Sequence, residues 1–282
     1  MSALVLGGTG QVGAEVARLL AARHLTVRAT TRNAASAPQV ANVEWLEIDG
    51  DRPEVPAGAF DDVDRVFLLA PAGWADQCTF LLPWIRAAER AQVANAVLMT
   101  AFEPDDQEDS SFGRAEAALA ATSIPHAVLR PSWFMQNFHN YWGEGIRREG
   151  VIRLPAGEGR VGFIDTRDIA AAAANLLGAP QVENRTFVLT GPEALNHADV
   201  ARILSEVSGR PIRYEDVDDV TFRRMLVADG MPPEYANLVV DMFPVVRGNR
   251  ASLVTDVVQS LTDAAPRTLA SYARDYRDQL LS

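Results

Sequence analysis

Gly7, Gly8, Gly10 and Gly13 punctuate the run Ala3-Leu-Val-Leu-Gly-Gly-Thr-Gly-Gln-Val-Gly13, between a short apolar segment and an Ala- and Leu-rich stretch. Glycines at these intervals let a strand turn sharply into a helix and let a pyrophosphate approach the backbone, while the unpaired N–H groups of the helix start attract the anion. Gly8-x-Gly10-x-x-Gly13 has the Rossmann spacing, so Gly7, Thr9, Gly10, Gln11, Val12 and Gly13 are the candidate dinucleotide contacts. The second strand then ends Ala29-Thr-Thr-Arg-Asn33. It holds no carboxylate to accept from the 2′-hydroxyl of NAD, whereas the fork of Arg32 suits a phosphate dianion and Thr31 and Asn33 add neutral donors. The expected cofactor is NADP(H). Asp49, ending the third expected strand, either faces adenine or opens a turn.

What the chain lacks narrows the chemistry further. All 26 basic residues of the 282 are Arg, so there is no Schiff-base lysine, no phosphate-loop lysine and no Tyr-x-x-x-Lys pair. Cys78 is the one cysteine and the four histidines are scattered, so neither a disulfide nor a metal site is expected. A formal charge of −11 opposes nucleic-acid and anionic-membrane binding. Without a leader-type segment or a long apolar run near the amino terminus, a cytoplasmic location is the expectation. A homodimer is expected only by analogy with the fold.

These residues need a scaffold, and the first 130 residues alternate short β-branched runs with Ala-rich helical stretches, the pattern of an α/β, Rossmann, doubly wound parallel sheet. Strands are expected at 3–6, 26–31, 43–48, 66–70, 96–100 and 127–130, with helices at 12–23, 76–92 and 111–122. After Pro131 an aromatic cluster fills 133–142, Gly-rich loops are expected around 143–162, and Asp165 or Thr166 is placed to cap a helix over 169–177. A strand at 186–190 follows. Helices are then expected at 196–207, 220–228, 232–242 and 269–280. The expected organisation is an NADP-binding domain over 1–150 with late sheet elements from 151–190, a small, mostly helical substrate lobe over 191–265, and a terminal helix, 266–282, returning to the main body.

The glycine run, Thr31-Arg-Asn33, Leu68-Leu-Ala-Pro71 and Leu129-Arg-Pro-Ser-Trp-Phe-Met-Gln-Asn137 together resemble the NmrA-like, atypical branch of the short-chain dehydrogenases/reductases. With Gly162-Phe-Ile-Asp165-Thr-Arg-Asp168 and Pro266-Arg-Thr-Leu-Ala-Ser-Tyr272, they are similar to the festuclavine/agroclavine dehydrogenases and to NADPH quinone oxidoreductases. The resemblance implies further cofactor contacts from Ala70, Pro71 and Pro131. It also implies that Thr100 stands where other members have a catalytic Ser, Ser110 where they have Tyr, and Arg114 where they have Lys. Arg114 either holds ribose hydroxyls or is an exposed helix cation near Glu116; its guanidinium does not deprotonate, so it is no general acid.

All five tyrosines lie at or beyond Tyr141. A substrate that is already electrophilic needs little acid help, so a reductase of an iminium, enone or quinone in specialised metabolism fits best. A proton would come from water, a substrate group, Tyr141 or His139, with Thr100 a third candidate. The open α/β rule puts the pocket beyond the strand carboxyl ends, walled by 71–74, 132–142 and side chains such as Met225 and Tyr235. Trp74, Trp133, Phe134, Phe138 and Tyr141 are the expected substrate contacts, and Trp45 and Trp84 are assigned to the core. Two alternatives stay open: an NADP(H)-sensing regulatory protein without turnover, and an isomerase that keeps NADP structurally.

Overall fold

The computed structural model describes residues 1–71, 74, 76–104 and 108–281. The chain runs β1 (Ser2–Val5), α1 (Gly13–Ala22), β2 (Thr26–Thr31), a 3-10 turn (Ala34–Ser36), β3 (Val43–Glu47), β4 (Arg65–Leu68), α2 (Gln77–Arg90), β5 (Asn95–Met99), α3 (Ser111–Ala120) and β6 (His126–Pro131). It continues through α4 (Asn137–Asn140), α5 (Gly143–Glu149), β7 (Val151–Leu154), α6 (Thr166–Gly178), β8 (Arg185–Leu189), α7 (His197–Ser208) and β9 (Arg213–Asp216). The last elements are α8 (Asp219–Ala228), α9 (Pro233–Asp241), α10 (Phe243–Arg247), α11 (Val257–Thr262), α12 (Leu269–Asp275) and α13 (Arg277–Leu281).

Contacts divide the chain into two units, Met1–Pro131 with Thr166–Val188 and Leu261–Asp263, and Ser132–Asp165 with Leu189–Ser260 and Ala264–Ser282. The first carries a seven-stranded sheet in the order β3-β2-β1-β4-β5-β6-β8. Pairing is parallel from β3 across to β6, with Val5 opposite both Ala29 and Phe67. The order reverses at β1, which opens a crevice at the carboxyl ends of β1 and β4. β1 and β4 are short apolar runs because helices cover both faces: Leu4, Val5, Val66 and Phe67 are fully buried. α1 packs with α6 and α2 with α3, and the stripe Val12, Val16 and Leu20 turns inward. Trp84 is a core residue as expected, while Trp45 is half-buried with its indole N–H on the Pro38 carbonyl, 2.9 Å away.

Expected and observed elements of this unit agree to within two residues up to β6, with α2 beginning one residue later and ending two earlier. The division into units differs from the expected one. Residues 132–165 group with the later chain, not with the nucleotide-binding part, because Met135, Phe138 and Ile146 are buried in the same core as Leu204, Phe222 and Tyr272. The terminal segment also belongs there: it breaks at Tyr276 into α12, on α7, and α13, on α5. The region around 143–162, expected as loops, contains α5 and β7, and β7 pairs in parallel with β9, Val151 opposite Arg213. Among the described residues no helix is long and apolar enough to cross a membrane.

Candidate functional site

The turn between β1 and α1 is assembled by backbone approach. Gly7 N–H donates to the Thr30 hydroxyl at 2.9 Å and Gly8 N–H to the Thr30 carbonyl at 2.9 Å, which fasten the turn to β2. At Gly13 a Cβ would lie 2.2 Å from the Gly7 carbonyl oxygen, so only glycine lets α1 start this close to the turn. Thr9, Gly10 and Gln11 are exposed, and Val12 heads the helix without a side-chain cap. Ala14 N–H donates to the Gly10 carbonyl at 3.0 Å, and the start of α1 around it presents the positive end of the helix dipole. This glycine-lined cradle fits a pyrophosphate.

Arg32 follows the last residue of β2. It is exposed, and among the described residues its guanidinium has neither an ion pair nor a hydrogen bond. Thr31 and Asn33 spend part of their capacity on their own turn: Thr31 Oγ1 accepts from Asn33 N–H at 3.2 Å and Asn33 Oδ1 from Ser36 N–H at 3.2 Å. Of the two roles open to Asp49, the geometry displays the turn. Its carboxylate accepts from Asp51 N–H at 2.9 Å and pairs with Arg52 at 3.4 Å. Ala70 is buried and Pro71 half-buried just past β4; residues 72 and 73 of the expected 71–74 wall lie outside the described residues. Trp74, expected to face substrate, instead donates its indole N–H to the Gly50 carbonyl at 2.7 Å and leans on Phe80 at 5.4 Å. Its polar atom is thus committed beyond the end of β3, where no spacing in the sequence could have placed it.

The expected proton-donor positions carry structural bonds. Thr100 is buried and donates its hydroxyl to Glu116 at 2.7 Å, while Glu116 accepts from Arg130 Nε at 2.9 Å and its NH2 group at 2.5 Å. With its proton pointed at a carboxylate, Thr100 is not placed as a general acid, which corrects that expectation. Pro131 closes β6 and its carbonyl accepts from Phe102 N–H at 2.9 Å. Ser110 caps α3 through Gly113 N–H at 3.0 Å and donates to Glu103 at 2.7 Å. Arg114 pairs not with Glu116 but with Asp76 at 2.9 Å, and Asp76 caps α2. Burial pushes the Asp76 carboxyl up, but the Thr79 hydroxyl and Arg114 outweigh it and hold the group below its ordinary range.

In the second unit the aromatic run is mostly packing. Phe138 is fully buried between Trp142 at 5.0 Å and Phe163 at 5.2 Å, which removes it from the expected substrate contacts. Trp133 is half-buried, edge-on to Phe243 at 5.1 Å, and Phe134 is half-buried in a bridge to Ile164. Tyr141 stays half exposed. His139 is bonded through Nδ1 to the Tyr272 hydroxyl at 2.7 Å and stacked on Tyr276 at 4.9 Å. Burial first, then Arg147, lower its pKa against the pull of Asp165, so less of it carries a proton to donate at neutral pH than of a free histidine. Asp165 immediately precedes α6 and accepts from buried Gln136 at 2.9 Å. His197, which nothing in the sequence marks, is fully buried among Phe138, Trp142, Phe163 and Tyr214, and among the described residues neither ring nitrogen has a hydrogen-bond partner.

The NmrA-like family profile matches residues 2–273. The chain belongs to the NmrA-like family. A curated relative, the NAD(P)H azoreductase of Xenophilus azovorans, is 34% identical over 277 residues, covering 96% of each chain. The agroclavine dehydrogenase of Claviceps fusiformis is 29% identical over 286 residues, 99% of this chain and 98% of that one. Among solved structures, the triphenylmethane reductase of Citrobacter sp. complexed with NADP(H) superposes with a TM-score of 0.82 at 25% identity, covering all of both chains. These findings bear out the expected family, the Rossmann-type sheet, the oxidoreductase class and the NADP(H) cofactor of this NmrA-like protein.

Proposed function

We propose that this NmrA-like chain is an NADPH-dependent reductase of small, planar, conjugated electrophiles such as an iminium, an enone or a quinone. The observation that carries the reading is a pair. A glycine-lined anion cradle at Gly7–Gly13 and an uncommitted guanidinium at Arg32 suit the pyrophosphate and 2′-phosphate of NADP(H), yet the sheet-bearing unit has neither Tyr nor Lys, and its one candidate donor, Thr100, gives its proton to Glu116. A bound NADPH supplies a hydride. The residues of the chain supply grip and orientation: helix N–H groups for the pyrophosphate, Arg32 for the 2′-phosphate, and Asp76–Arg114 to hold the start of α2 against α3.

An acceptor that must be protonated as it is reduced would miss the absent acid. An iminium accepts hydride and becomes a neutral amine with no proton required; a quinone or enone delocalises the incoming charge and takes its protons from water. Neither His139 nor Tyr141 is then needed. The relatives' names fit this class: azo, clavine-alkaloid and triphenylmethane compounds are conjugated.

The test is NADPH consumption against a panel of quinones, cyclic imines and enones. Turnover of at least one class is expected, with simple ketones inert. Tight NADPH binding with no turnover on the whole panel would overturn the reading in favour of an NADP(H)-sensing protein, and conversion of a substrate with unchanged NADPH absorbance would point to an isomerase.

A further inference from the structure

We propose that Gly50 is a specificity-determining residue: by having no side chain it sets the path of Arg32, and so the preference for a cofactor carrying a 2′-phosphate. The proposal rests on the reading of Arg32 as the 2′-phosphate contact given above. Gly50 is buried just beyond β3, and a Cβ built on it would lie 2.7 Å from Cδ and 3.0 Å from Cγ of Arg32. The stem of Arg32 therefore runs across the bare backbone of Gly50. These are the middle atoms of the side chain, so a methyl group here displaces the whole guanidinium and not merely its tip.

Two further features hold this arrangement. The Gly50 carbonyl receives the Trp74 indole N–H at 2.7 Å, and Trp74 is itself braced on Phe80, which is buried in α2. The floor under Arg32 is thereby tied to the segment after β4. Gly50 also lies between two aspartates that could have captured the guanidinium. Asp49 is instead occupied by Arg52 and by Asp51 N–H, and among the described residues Arg32 pairs with neither aspartate. The stem is located while the charge stays uncommitted, the condition for discriminating a phosphate from a hydroxyl.

The experiment titrates the full-length protein with adenosine 2′,5′-bisphosphate and with adenosine 5′-monophosphate by calorimetry, which needs no turnover and no nicotinamide. The wild type should favour the bisphosphate, and R32A should lose that preference; if R32A keeps it, the reading of Arg32 falls, whatever Gly50 does. Given that control, G50A should bind the bisphosphate about tenfold more weakly, the loss of one charge-assisted contact, with the monophosphate within about twofold of wild type. W74F, which deletes the indole donor and keeps a ring, should shift the ratio in the same direction by less. An unchanged ratio in folded G50A overturns the proposal; should G50A fail to fold, an unchanged ratio in W74F overturns it.

Discussion

Two of the regions that leave polar groups without partners do so under opposite conditions. At the β1–α1 turn and Arg32, the unpartnered groups face solvent, where water satisfies them and an anionic ligand can displace that water. At His197 the two ring nitrogens are walled in by Phe138, Trp142, Phe163 and Tyr214 and have no hydrogen-bond partner among the described residues. An exposed orphan is a binding opportunity, and a buried one is a standing cost to stability, since a desolvated polar group without a hydrogen bond is penalised. Burial pushes the His197 pKa down to about 4, with Asp216 pulling weakly the other way, so the ring stays neutral in the folded protein at ordinary pH. Between these extremes lies the Thr100–Glu116–Arg130 group, buried or nearly so but paired throughout.

The severest way to break the comparison is G13V. The clash with the Gly7 carbonyl forces α1 away from the turn, and a loss of about 3 kcal/mol or more in urea unfolding is expected, together with loss of NADPH binding by fluorescence titration. Undiminished NADPH binding by a folded G13V would mean that the turn is not the cradle.

Acid sharpens the contrast from the other side. Because the folded-state pKa of His197 lies below the ordinary histidine value of 6.5, the unfolded chain binds the proton more readily. The contribution is therefore fully present above about pH 6.5 and is lost as pH falls toward about 4. Between about pH 7.5 and about pH 5 that linkage amounts to about 2 kcal/mol, and H197F should lack this part of the acid sensitivity when unfolding is compared at the two pH values. Equal slopes for H197F and wild type would show that the enclosure opens before the ring titrates.

The smallest effect is expected where every group is satisfied. T100V removes one hydrogen bond from Glu116 but leaves its bonds from Arg130, so about 1 kcal/mol of stability should go. NADPH turnover should fall less than about tenfold. A collapse of turnover with unchanged stability would restore Thr100 to the chemistry.

The legible features were those encoded by neighbours in the chain. The Gly7–Gly13 spacing, the Thr31-Arg-Asn33 ending and the apolar strands of the sheet are all local patterns, and the elements up to β6 lie within two residues of expectation, α2 beginning one later and ending two earlier. No periodicity announces β9, because Arg213-Tyr-Glu-Asp216 is polar and its partner β7 is some sixty residues away. Trp74 and Trp133 looked alike as aromatic residues beside strand ends, yet one is fastened to Gly50 and the other packs on Phe243. Phe138 and Tyr141, three residues apart, end one in the core and the other half exposed, because packing partners from distant elements decide burial.

By itself the sequence determined that a strand must turn through glycine into a helix, that a cation follows the second strand, and that no lysine is available anywhere. Each of these depends only on residue type and short-range spacing, and short-range sterics dictate the outcome. Tertiary structure alone decided which polar groups would be spent and which kept. It gave the Thr100 proton to Glu116, Arg114 to Asp76 and the Trp74 indole to Gly50, and it left Arg32 unpaired, because a hydrogen bond is set by where two distant segments bring a donor and an acceptor within about 3 Å of each other.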